Sequence, residues 1–379
     1  MIPMTLDTDV FVIGGGPAGL AAAVAARRKG FRVMVADCAR PPIDKACGEG
    51  LMPDGLAALR ELGFGIGFTG AFPFRGIRFR DGGVSVDASF PNGWGAGVRR
   101  TALHLAMVAA AERAGVDLLW GANVIGISAE GVRLAGRCVT ARWIVGADGG
   151  NSRARAWTGL GSGGDVLRRF GFRRHYRVAP WSGCMELYWG RDAQLYVTPV
   201  GIQEVCVAVV SRNPHLRIDG VLADFPDLSE RLGGATYGTA ELGSVTASRK
   251  LDRVVRGRVA LVGDASGSVD AITGEGLCLA FRQALALAEA LEREDLSGYQ
   301  AVHRRLMRRP ALMATLLLSF DGRPRLRRSV LNALAAQPAI FEKMLAMHVG
   351  ALSPVDFAAS GLALGWQMLA GRPVLMRRS

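Results

Sequence analysis

A glycine-rich turn near the start of the chain constrains its fold more than any other feature. The apolar run Val10–Ile13 predicts a β-strand, the small residues Leu20–Ala26 predict a helix, and Val33–Ala36 predicts a second strand that ends at Asp37. The turn Gly14–Gly19 joins the first strand to the helix. Together these segments indicate the βαβ unit that begins a doubly wound, largely parallel sheet.

The same turn predicts a ligand. It matches the pattern G-x-G-x-x-G at Gly14, Gly16 and Gly19. In that pattern the first glycine permits the tight turn, the second lets the backbone approach a pyrophosphate, and the third lets helix and strand pack closely. Pro17 and Ala18 begin the helix, whose unpaired N–H groups and partial positive charge favour a phosphate. Asp37 is placed to accept hydrogen bonds from a ribose hydroxyl, so the unit predicts dinucleotide binding rather than a chance glycine turn.

Length and charge limit the remaining possibilities. A chain of 379 residues exceeds the usual size of one hydrophobic core, so at least two domains are expected. The net charge is +13, but residues 301–379 contain 12 basic and three acidic residues and therefore carry +9 of it. Neither a basic motif interleaved with aromatic residues nor a zinc-ligand spacing accompanies this charge, which argues against a nucleic-acid partner.

Cysteine usage and hydropathy indicate a cytoplasmic protein. The six cysteines are scattered without a C-x-x-C pair, which is typical of reduced thiols. A signal-peptide pattern does not precede the first strand, and no uncharged apolar run reaches the ~18 residues that a membrane span needs. The five histidines show no ligand spacing, so no metal site is expected. We expect a protein that is soluble or bound peripherally to a membrane.

Two further strand-to-turn units follow along the chain. The strand Arg142–Val145 leads into Gly146-Ala147-Asp148-Gly149, and the buried strand Val259–Val262 leads into Gly263-Asp264-Ala265. A long apolar helix, Leu277–Leu291, comes after the second of these turns. Backbone N–H groups at the start of such a helix can face a negatively charged ligand.

Other parts of the chain alternate with the period of a β-strand. Residues 71–97 and much of 166–249 carry this pattern, rich in aromatic residues, whereas residues 301–379 are mostly helical. The sequence therefore predicts an α/β protein with a Rossmann-type dinucleotide-binding domain, an interleaved mixed β-sheet domain and a C-terminal helical region. The predicted boundaries are 1–70, 98–165 and 250–300 for the first, 71–97 and 166–249 for the second, and 301–379 for the third.

The three motifs, taken in order, resemble one known family. Gly14–Gly19 with Asp37, Gly146–Gly149 with Ser152 and Arg153, and Gly263-Asp264-Ala265 resemble the FAD-dependent family of p-hydroxybenzoate hydroxylase-like monooxygenases and geranylgeranyl reductases. The resemblance covers about residues 8–290, and it implies an α/β fold in which a Rossmann-type FAD/NAD(P)-binding domain is interleaved with a mixed β-sheet substrate domain.

This resemblance implies specific roles. The first motif would bind the ADP half of FAD, and Arg100 or its neighbour Arg99 would contact the cofactor. Asp148 would lie near the pyrophosphate, in a segment that helps to receive NAD(P)H, and Asp264 would contact the ribityl chain or phosphate. The whole set expected to hold the cofactor is Gly14, Gly16, Pro17, Ala18, Gly19, Asp37, Cys47, Gly48, Arg99, Arg100, Val124, Asp148, Gly149, Gly263, Asp264, Gly274, Gly276 and Leu277.

The reaction class stays open between two members of the family. NAD(P)H-dependent hydroxylation of a hydrophobic aromatic or polyketide-like compound is slightly preferred, and reduction of carbon–carbon double bonds in an isoprenoid or quinone is close behind. The runs Thr273-Gly274-Glu275-Gly276 and Lys45–Gly50 look more like the reductases, but their aromatic-rich substrate motif does not align cleanly with Phe90–Trp94. Halogenation needs a lysine in the substrate half, and none occurs between Lys45 and Lys250. A flavin-binding protein without turnover is a further alternative, and no catalytic residue is assigned.

The substrate would be a hydrophobic small molecule. We expect the loop Ser266–Gly276, including Thr273, to border the flavin, and a sheet carrying Leu187, Trp189, Tyr196, Thr198 and Pro199 to form the facing wall. Simple core packing of these aromatic residues is an equal alternative. The loop Arg40–Leu51 fits either a plain surface loop or backbone amides beside a bound ring, and His175 fits a solvated strand face better than a substrate contact.

The C-terminal segments allow two interpretations. Ala311–Phe320 and Phe357–Leu369 are apolar nearly all round and are flanked by arginines, including Arg309 and Arg327. A helical cap packed on the substrate domain and solvated through its arginines is preferred. Alternatively, these helices would present an apolar, arginine-rimmed mouth to an anionic membrane or to an acyl- or phosphate-bearing substrate.

Overall fold

The computed structural model describes residues 6–65, 71–161 and 167–352. The strands are β1 (Thr8–Ile13), β2 (Val33–Asp37), β3 (Gly50–Leu51), β4 (Phe72–Phe74), β5 (Gly76–Asp81), β6 (Val84–Ser89), β7 (Gly95–Gly97), β8 (Asp117–Trp120), β9 (Val124–Ile127), β10 (Val132–Leu134), β11 (Arg137–Val139), β12 (Ala141–Gly146), β13 (Leu167–Arg177), β14 (Cys184–Trp189), β15 (Ala193–Gly201), β16 (Glu204–Ser211), β17 (Thr236–Tyr237), β18 (Leu242–Ser248), β19 (Val255–Arg256) and β20 (Val259–Leu261). The helices are α1 (Pro17–Arg28), α2 (Pro53–Glu61), α3 (Arg100–Arg113), α4 (Arg153–Trp157), α5 (Ile218–Leu222), α6 (Pro226–Gly233), α7 (Gly276–Glu292), α8 (Leu296–Leu318), α9 (Pro324–Ala336) and α10 (Pro338–His348).

A parallel sheet gathers strands from distant parts of the chain. Its order is β19-β20-β12-β1-β2-β8, with only the short edge strand β19 antiparallel to its neighbour. The central strand β1 is fully buried from Val10 to Ile13, as a strand covered on both faces must be. Helix α1, whose residues from Leu20 to Ala26 are all buried, packs against α7 on one face of this sheet. The carboxyl ends of β1, β2 and β12 therefore open at the same edge.

A second, mixed sheet stands beyond that edge. Its order is β17-β13-β16-β15-β14-β5-β6, and β18 also pairs with β13. Most pairs are antiparallel, but β14 runs parallel to β5. Because side chains alternate along a strand, residues two apart on β14, β15 and β16 share one face. Leu187, Trp189, Tyr196, Ala208 and Val210 form a buried cluster on that face.

The C-terminal helices pack on the mixed sheet. The apolar segment Ala311–Phe320 is not a helix of its own, because α8 runs without a break through Pro310. Helices α9 and α10 cover β5 and β6 with a core that includes Leu334 and Phe341. Phe357–Leu369 lies outside the described residues. No helix in the described part of the chain is long and apolar enough to cross a membrane.

One flanking arginine is buried, which corrects the expectation that these arginines are solvated. Arg327 of α9 is only 6% exposed. Its Nε donates to Asp81 Oδ2 at 2.9 Å, and its guanidinium lies over the Trp189 ring, 5.4 Å from the centroid. A buried guanidinium needs such partners to offset its lost hydration, and this pair docks α9 on β5.

Helix α8 also supports the loop after β20. His303 is 4% exposed, and its Nε2 lies 2.9 Å from Ser266 Oγ. Since the Ser266 hydroxyl is 2.8 Å from the Gly263 carbonyl, which can only accept, Nε2 of His303 carries the proton and donates to Ser266. Burial lowers the pKa of His303 to about 4.

This burial predicts a pH dependence of stability. The usual pKa of a histidine is 6.5, and that of His303 in the fold is about 4. At a pH between these two values His303 binds a proton in the unfolded chain but not in the fold. The free energy of unfolding should therefore fall as the pH falls through this range. His303→Gln should flatten the dependence, by about 1.4 kcal/mol per unit of pKa shift. Urea titrations at pH 7 and pH 5 with saturating FAD would measure it, with the exposed His215→Gln as control. If the free energy of unfolding of the wild type and of His303→Gln changed equally between pH 7 and pH 5, the pKa shift assigned to His303 would be contradicted.

Candidate functional site

A cavity of about 810 Å³ lies between the two sheets. On one side it is lined by the carboxyl ends of β1, β2 and β12, represented by Ile13, Asp37 and Ala147. On the other side the lining includes Leu187 and Tyr196 of the mixed sheet. Crevices at the carboxyl ends of parallel strands are where α/β proteins bind ligands.

The glycine turn after β1 is shaped for a group that approaches the backbone. Gly14 has φ +111°, a conformation that side chains disfavour, and a Cβ there would lie 2.5 Å from the Ala147 carbonyl. A Cβ at Gly19 would collide with the Gly14 carbonyl, so this glycine lets α1 pack onto β1. In contrast, a Cβ at Gly16 would meet nothing within 4 Å, and Gly16 lines the cavity. The turn therefore leaves open space where a pyrophosphate could contact the backbone.

The comparisons with known proteins agree with this geometry. Residues 7–172 match the FAD binding domain family. Menaquinone reductase of Mycobacterium tuberculosis is 30% identical over 324 residues, which cover 78% of this chain and 79% of the relative. A putative 2-heptyl-3-hydroxy-4(1H)-quinolone synthase of Rhodococcus erythropolis is 27% identical over 87% of this chain and 93% of its own. The solved flavoprotein/dehydrogenase of Cytophaga hutchinsonii superposes with a TM-score of 0.82 at 20% identity, covering 96% of this chain and 100% of that one.

The chain belongs to the FAD-dependent oxidoreductase family. It is the family of p-hydroxybenzoate hydroxylase-like monooxygenases and geranylgeranyl reductases that the three motifs resemble, and the mixed α/β architecture expected from that resemblance is confirmed.

The structure brings most of the predicted cofactor residues of this oxidoreductase to one cavity. Those that line it are Gly14, Gly16, Pro17, Ala18, Asp37, Cys47, Gly48, Arg100, Val124, Asp148, Gly149, Gly263, Asp264, Gly274, Gly276 and Leu277. Gly19 is absent from the lining because it packs α1 against β1. Arg99 is absent because it turns to Glu204, with Nη1 2.9 Å from the carboxylate, so Arg100 is the arginine that the cavity presents. Their individual contacts with FAD stay predictions.

Three acidic residues of the motifs are held by hydrogen bonds. Asp37 Oδ2 accepts from the Gly15 N–H at 2.7 Å, so the carboxylate is fixed at the end of β2. Asp148 Oδ2 accepts from the backbone of Arg153 at 2.7 Å and caps the short helix α4. Asp264 Oδ2 pairs with Lys45 Nζ at 2.9 Å, an ion pair about 40% exposed, which joins the loop after β2 to the loop after β20.

The loop after β2 is fixed by a buried cluster that the sequence did not reveal. Glu49 is 4% exposed and has φ +56°. Its Oε1 accepts from Arg173 Nη1 at 2.8 Å and from the Arg100 N–H at 2.9 Å, and its Oε2 lies 2.7 Å from His175 Nε2. Burial raises the pKa of Glu49, but the hydrogen bonds from His175 and the Arg100 N–H together with the charge of Arg173 outweigh it, so the net shift is downward. Residues Lys45–Gly50 consequently line the cavity. The interpretation of this segment as a plain surface loop is excluded.

The position of His175 differs from the one expected from the sequence. It is fully buried rather than on a solvated strand face, between Glu49 and the Thr239 hydroxyl. Ligand atoms of Glu49, His175 and Cys206 lie within 4.8 Å of one another, a spacing that a metal ion could use. Arg173 already neutralises Glu49 from the other side, however, so a divalent cation would be repelled by a buried guanidinium. The cluster fits an ion-pair network better than a metal site.

Some of the residues predicted for the substrate wall line the cavity. Tyr196 and Thr273 line the cavity, and the Tyr196 hydroxyl donates to the Ile272 carbonyl at 3.1 Å, which ties the mixed sheet to the loop after β20. Trp189 is not part of the lining, since it packs edge-on against Phe79 and Phe320.

The prediction that Thr198 and Pro199 line the cavity is also wrong. Thr198 is fully buried, and a Cβ at Gly97 would sit 3.2 Å from its methyl group. The same Cβ would collide with the Pro199 carbonyl. Strand β7 therefore covers this part of β15. Further lining residues that sequence reasoning missed include Phe79, Phe341 and His348.

The open position of Gly16 gives a direct test of the cofactor site. Gly16→Val should fold normally, because its side chain meets open space, yet give colourless protein, because it occupies the space for the pyrophosphate. The free energy of unfolding of the apoprotein should fall by no more than about 1 kcal/mol, since Gly16 is the N-cap of α1 and valine is a poor capping residue. Gly183→Val, also unobstructed but away from the cavity, is the matched control. Normal flavin content in Gly16→Val would exclude this site.

The Glu49 cluster makes a second prediction. Glu49→Gln keeps the shape but removes one of the two carboxylates that pair with Arg173, the other being Asp44 at 2.8 Å, and sets an amide against a donor. We therefore expect a loss of about 2 kcal/mol in the free energy of unfolding and weaker retention of FAD. Glu204→Gln breaks the more exposed pair with Arg99 and should cost no more than about 1 kcal/mol. Denaturation of the apoproteins and FAD titration would measure both. Similar costs for the two variants would show that the cluster does not fix the loop.

Proposed function

We propose that this oxidoreductase is an NAD(P)H-dependent monooxygenase that hydroxylates a hydrophobic aromatic small molecule. The observation that carries the proposal is the character of the wall opposite the motif loops. It combines the rings of Phe79, Tyr196 and Phe341 with aliphatic side chains such as Leu187 and Met344. Flat apolar walls with few polar groups suit an aromatic ring, which the wall would orient and shield from water.

Different parts of the chain would hold the cofactor and position the substrate. Bound FAD supplies the redox chemistry, with NAD(P)H as the reductant. The glycine turn after β1 and Asp37 would hold the nucleotide half, while Lys45–Gly50 and Ser266–Gly276 would border the ring. Tyr196 would keep the wall in register with the second loop through its hydrogen bond to Ile272. The similarity to a quinolone synthase supports this class.

A second candidate is reduction of a carbon–carbon double bond in an isoprenoid or quinone. It is favoured by the 30% identity to menaquinone reductase. The two loops that resemble the reductases, Lys45–Gly50 and Thr273–Gly276, both border the cavity. The apolar wall would also suit an isoprenoid chain.

We further propose a cytoplasmic location, which the six unpaired cysteines of the described chain support. Contact of the arginine-rich C-terminal region with an anionic membrane, as a route for a hydrophobic substrate, is also a proposal. Exposed Arg304 and Arg305 flanking the buried face of α8 support it.

Product mass separates the two candidate reactions. With NAD(P)H and O₂, an alkylated phenol should gain one oxygen atom, and isotopically labelled O₂ should supply it. The same substrate without O₂ should return unchanged. A gain of two hydrogens by menaquinone that persists after its ring is reoxidised in air would show that a carbon–carbon double bond is reduced, and would replace the hydroxylase with the reductase. Reduction of FAD by NAD(P)H with no product from either substrate would contradict both.

A further inference from the structure

A buried ion pair connects the mixed sheet to the loop that follows β20. Arg169 of β13 and Asp270 of that loop are 1% and 3% exposed, and Nη1 of the arginine lies 2.9 Å from Oδ1 of the aspartate. The other terminal nitrogen of Arg169, Nη2, donates to the side-chain oxygen of Gln194 on β15 and to the Val210 carbonyl at 3.2 Å. The guanidinium is therefore held by acceptors from three different elements.

The hydrogen bonds continue from Gln194 to the turn between α8 and α9. The amide oxygen of Gln194 faces a guanidinium, which can only donate, so its nitrogen is the end that faces Asp321. This nitrogen, Nε2, donates to Asp321 Oδ1 at 3.0 Å. Asp321 Oδ2 in turn lies 3.3 Å from Nη2 of Arg212, whose side chain is 57% exposed. Charges and dipoles thus alternate from the surface to the loop, and each group stabilises its neighbours.

Asp270 sets the conformation of the loop at the other end of this series. Its Oδ1 also accepts from the Ile272 N–H at 3.0 Å, and its backbone carbonyl accepts from the Thr273 hydroxyl at 3.1 Å. These bonds close a short turn that ends at Gly274, whose φ is +66°. All four residues line the cavity, in the loop expected to border the flavin. A shift of Asp270 would therefore move a surface that FAD would meet.

The buried charges are explained better by geometry than by stability. A buried ion pair contributes little net free energy compared with apolar side chains of the same size, because both charges lose their hydration. Its hydrogen bonds, however, allow only a narrow range of distances and angles between the two groups. The pair between Arg169 and Asp270 thus restricts where the loop can lie relative to β13.

We propose that Arg169, Gln194 and Asp270 are positioning residues, which hold the loop after β20 in the conformation that binds FAD. Through Gln194, Asp321 makes this conformation depend on how α8 and α9 are seated. Arg169, Gln194 and Asp321 do not occur among the described residues that line the cavity, so they would act through Asp270. Since FAD is common to both candidate reactions, these residues would have the same role in either.

Titration of the apoproteins with FAD tests the ion pair. A loop that adopts its binding conformation only one tenth of the time binds tenfold more weakly. Arg169→Met should therefore raise the Kd for FAD about tenfold or more, and shift the visible absorption bands of the flavin that still binds. Arg327→Met is the matched control, because it also leaves a buried carboxylate, that of Asp81, unpaired, but outside this loop. It should keep the Kd within about twofold and the bands unchanged.

A double-mutant cycle tests the connection to α8 and α9. Gln194→Met has nearly the same size but no hydrogen-bonding amide, and it leaves the ion pair intact. It should raise the Kd for FAD about threefold or more, as expected for the loss of one buried hydrogen bond. Asp321→Ala should raise the Kd in the wild type but not further in Gln194→Met, because the amide transmits its effect. Urea unfolding of the apoproteins checks that each variant folds.

The opposite results would overturn the proposal. Equal weakening of FAD binding by Arg169→Met and Arg327→Met would mean that the ion pair only stabilises the fold. A wild-type Kd in Gln194→Met would contradict the role of the amide even if Arg169→Met fails to fold. Additive effects of Gln194→Met and Asp321→Ala would exclude a connection from the turn between α8 and α9 to the loop.

Discussion

The buried negative charge of Glu49 links the two sheets of this protein. An isolated carboxylate in such a site would be strongly unfavourable, so it is tolerable only with donors on several sides. Those donors come from two parts of the fold: the Arg100 N–H from the start of α3, and Arg173 and His175 from β13 of the mixed sheet. The loop after β2 can therefore satisfy its charge only when the mixed sheet is in place beside it, and this positions one wall of the cavity.

Local chemistry made the first βαβ unit predictable. The φ of Gly14, the contact of Gly19 with Gly14 and the open face of Gly16 all follow from glycine spacing within six residues. The cluster around Glu49 had no such local signature, since Glu49 and His175 are 126 residues apart. A weak signal did exist in β13, where Arg169, Arg173 and His175 share the odd-numbered face. The sequence favours a solvated strand face for His175, but each of these three residues has a buried acidic partner, and Arg169 pairs with Asp270 at 2.9 Å.

Arginine content misled the interpretation of the C-terminal helices for a related reason. Sequence shows how many arginines flank an apolar segment, but not which of them meets a carboxylate from another element. Arg327 is inside because Asp81 lies across from it, 246 residues earlier in the chain. Arg309 reaches Asp54 and Glu275 in the same way. The sequence alone therefore does not distinguish the arginines that face solvent from those that pair with a carboxylate of another element.

Reductases and oxygenases share this scaffold, so the motif loops alone do not set the reaction. What differs between such enzymes must be the surface that meets the substrate, and here that surface is built late in the chain. Strands β14 to β16 give the flat wall, while α10 brings Phe341 and His348 to it. Because His348 also holds the Thr273 carbonyl, the C-terminal helices order the loop that borders the cavity as well as closing it. The C-terminal region, for which a helical cap is expected from the sequence, thus also contributes α10 to the wall of the cavity.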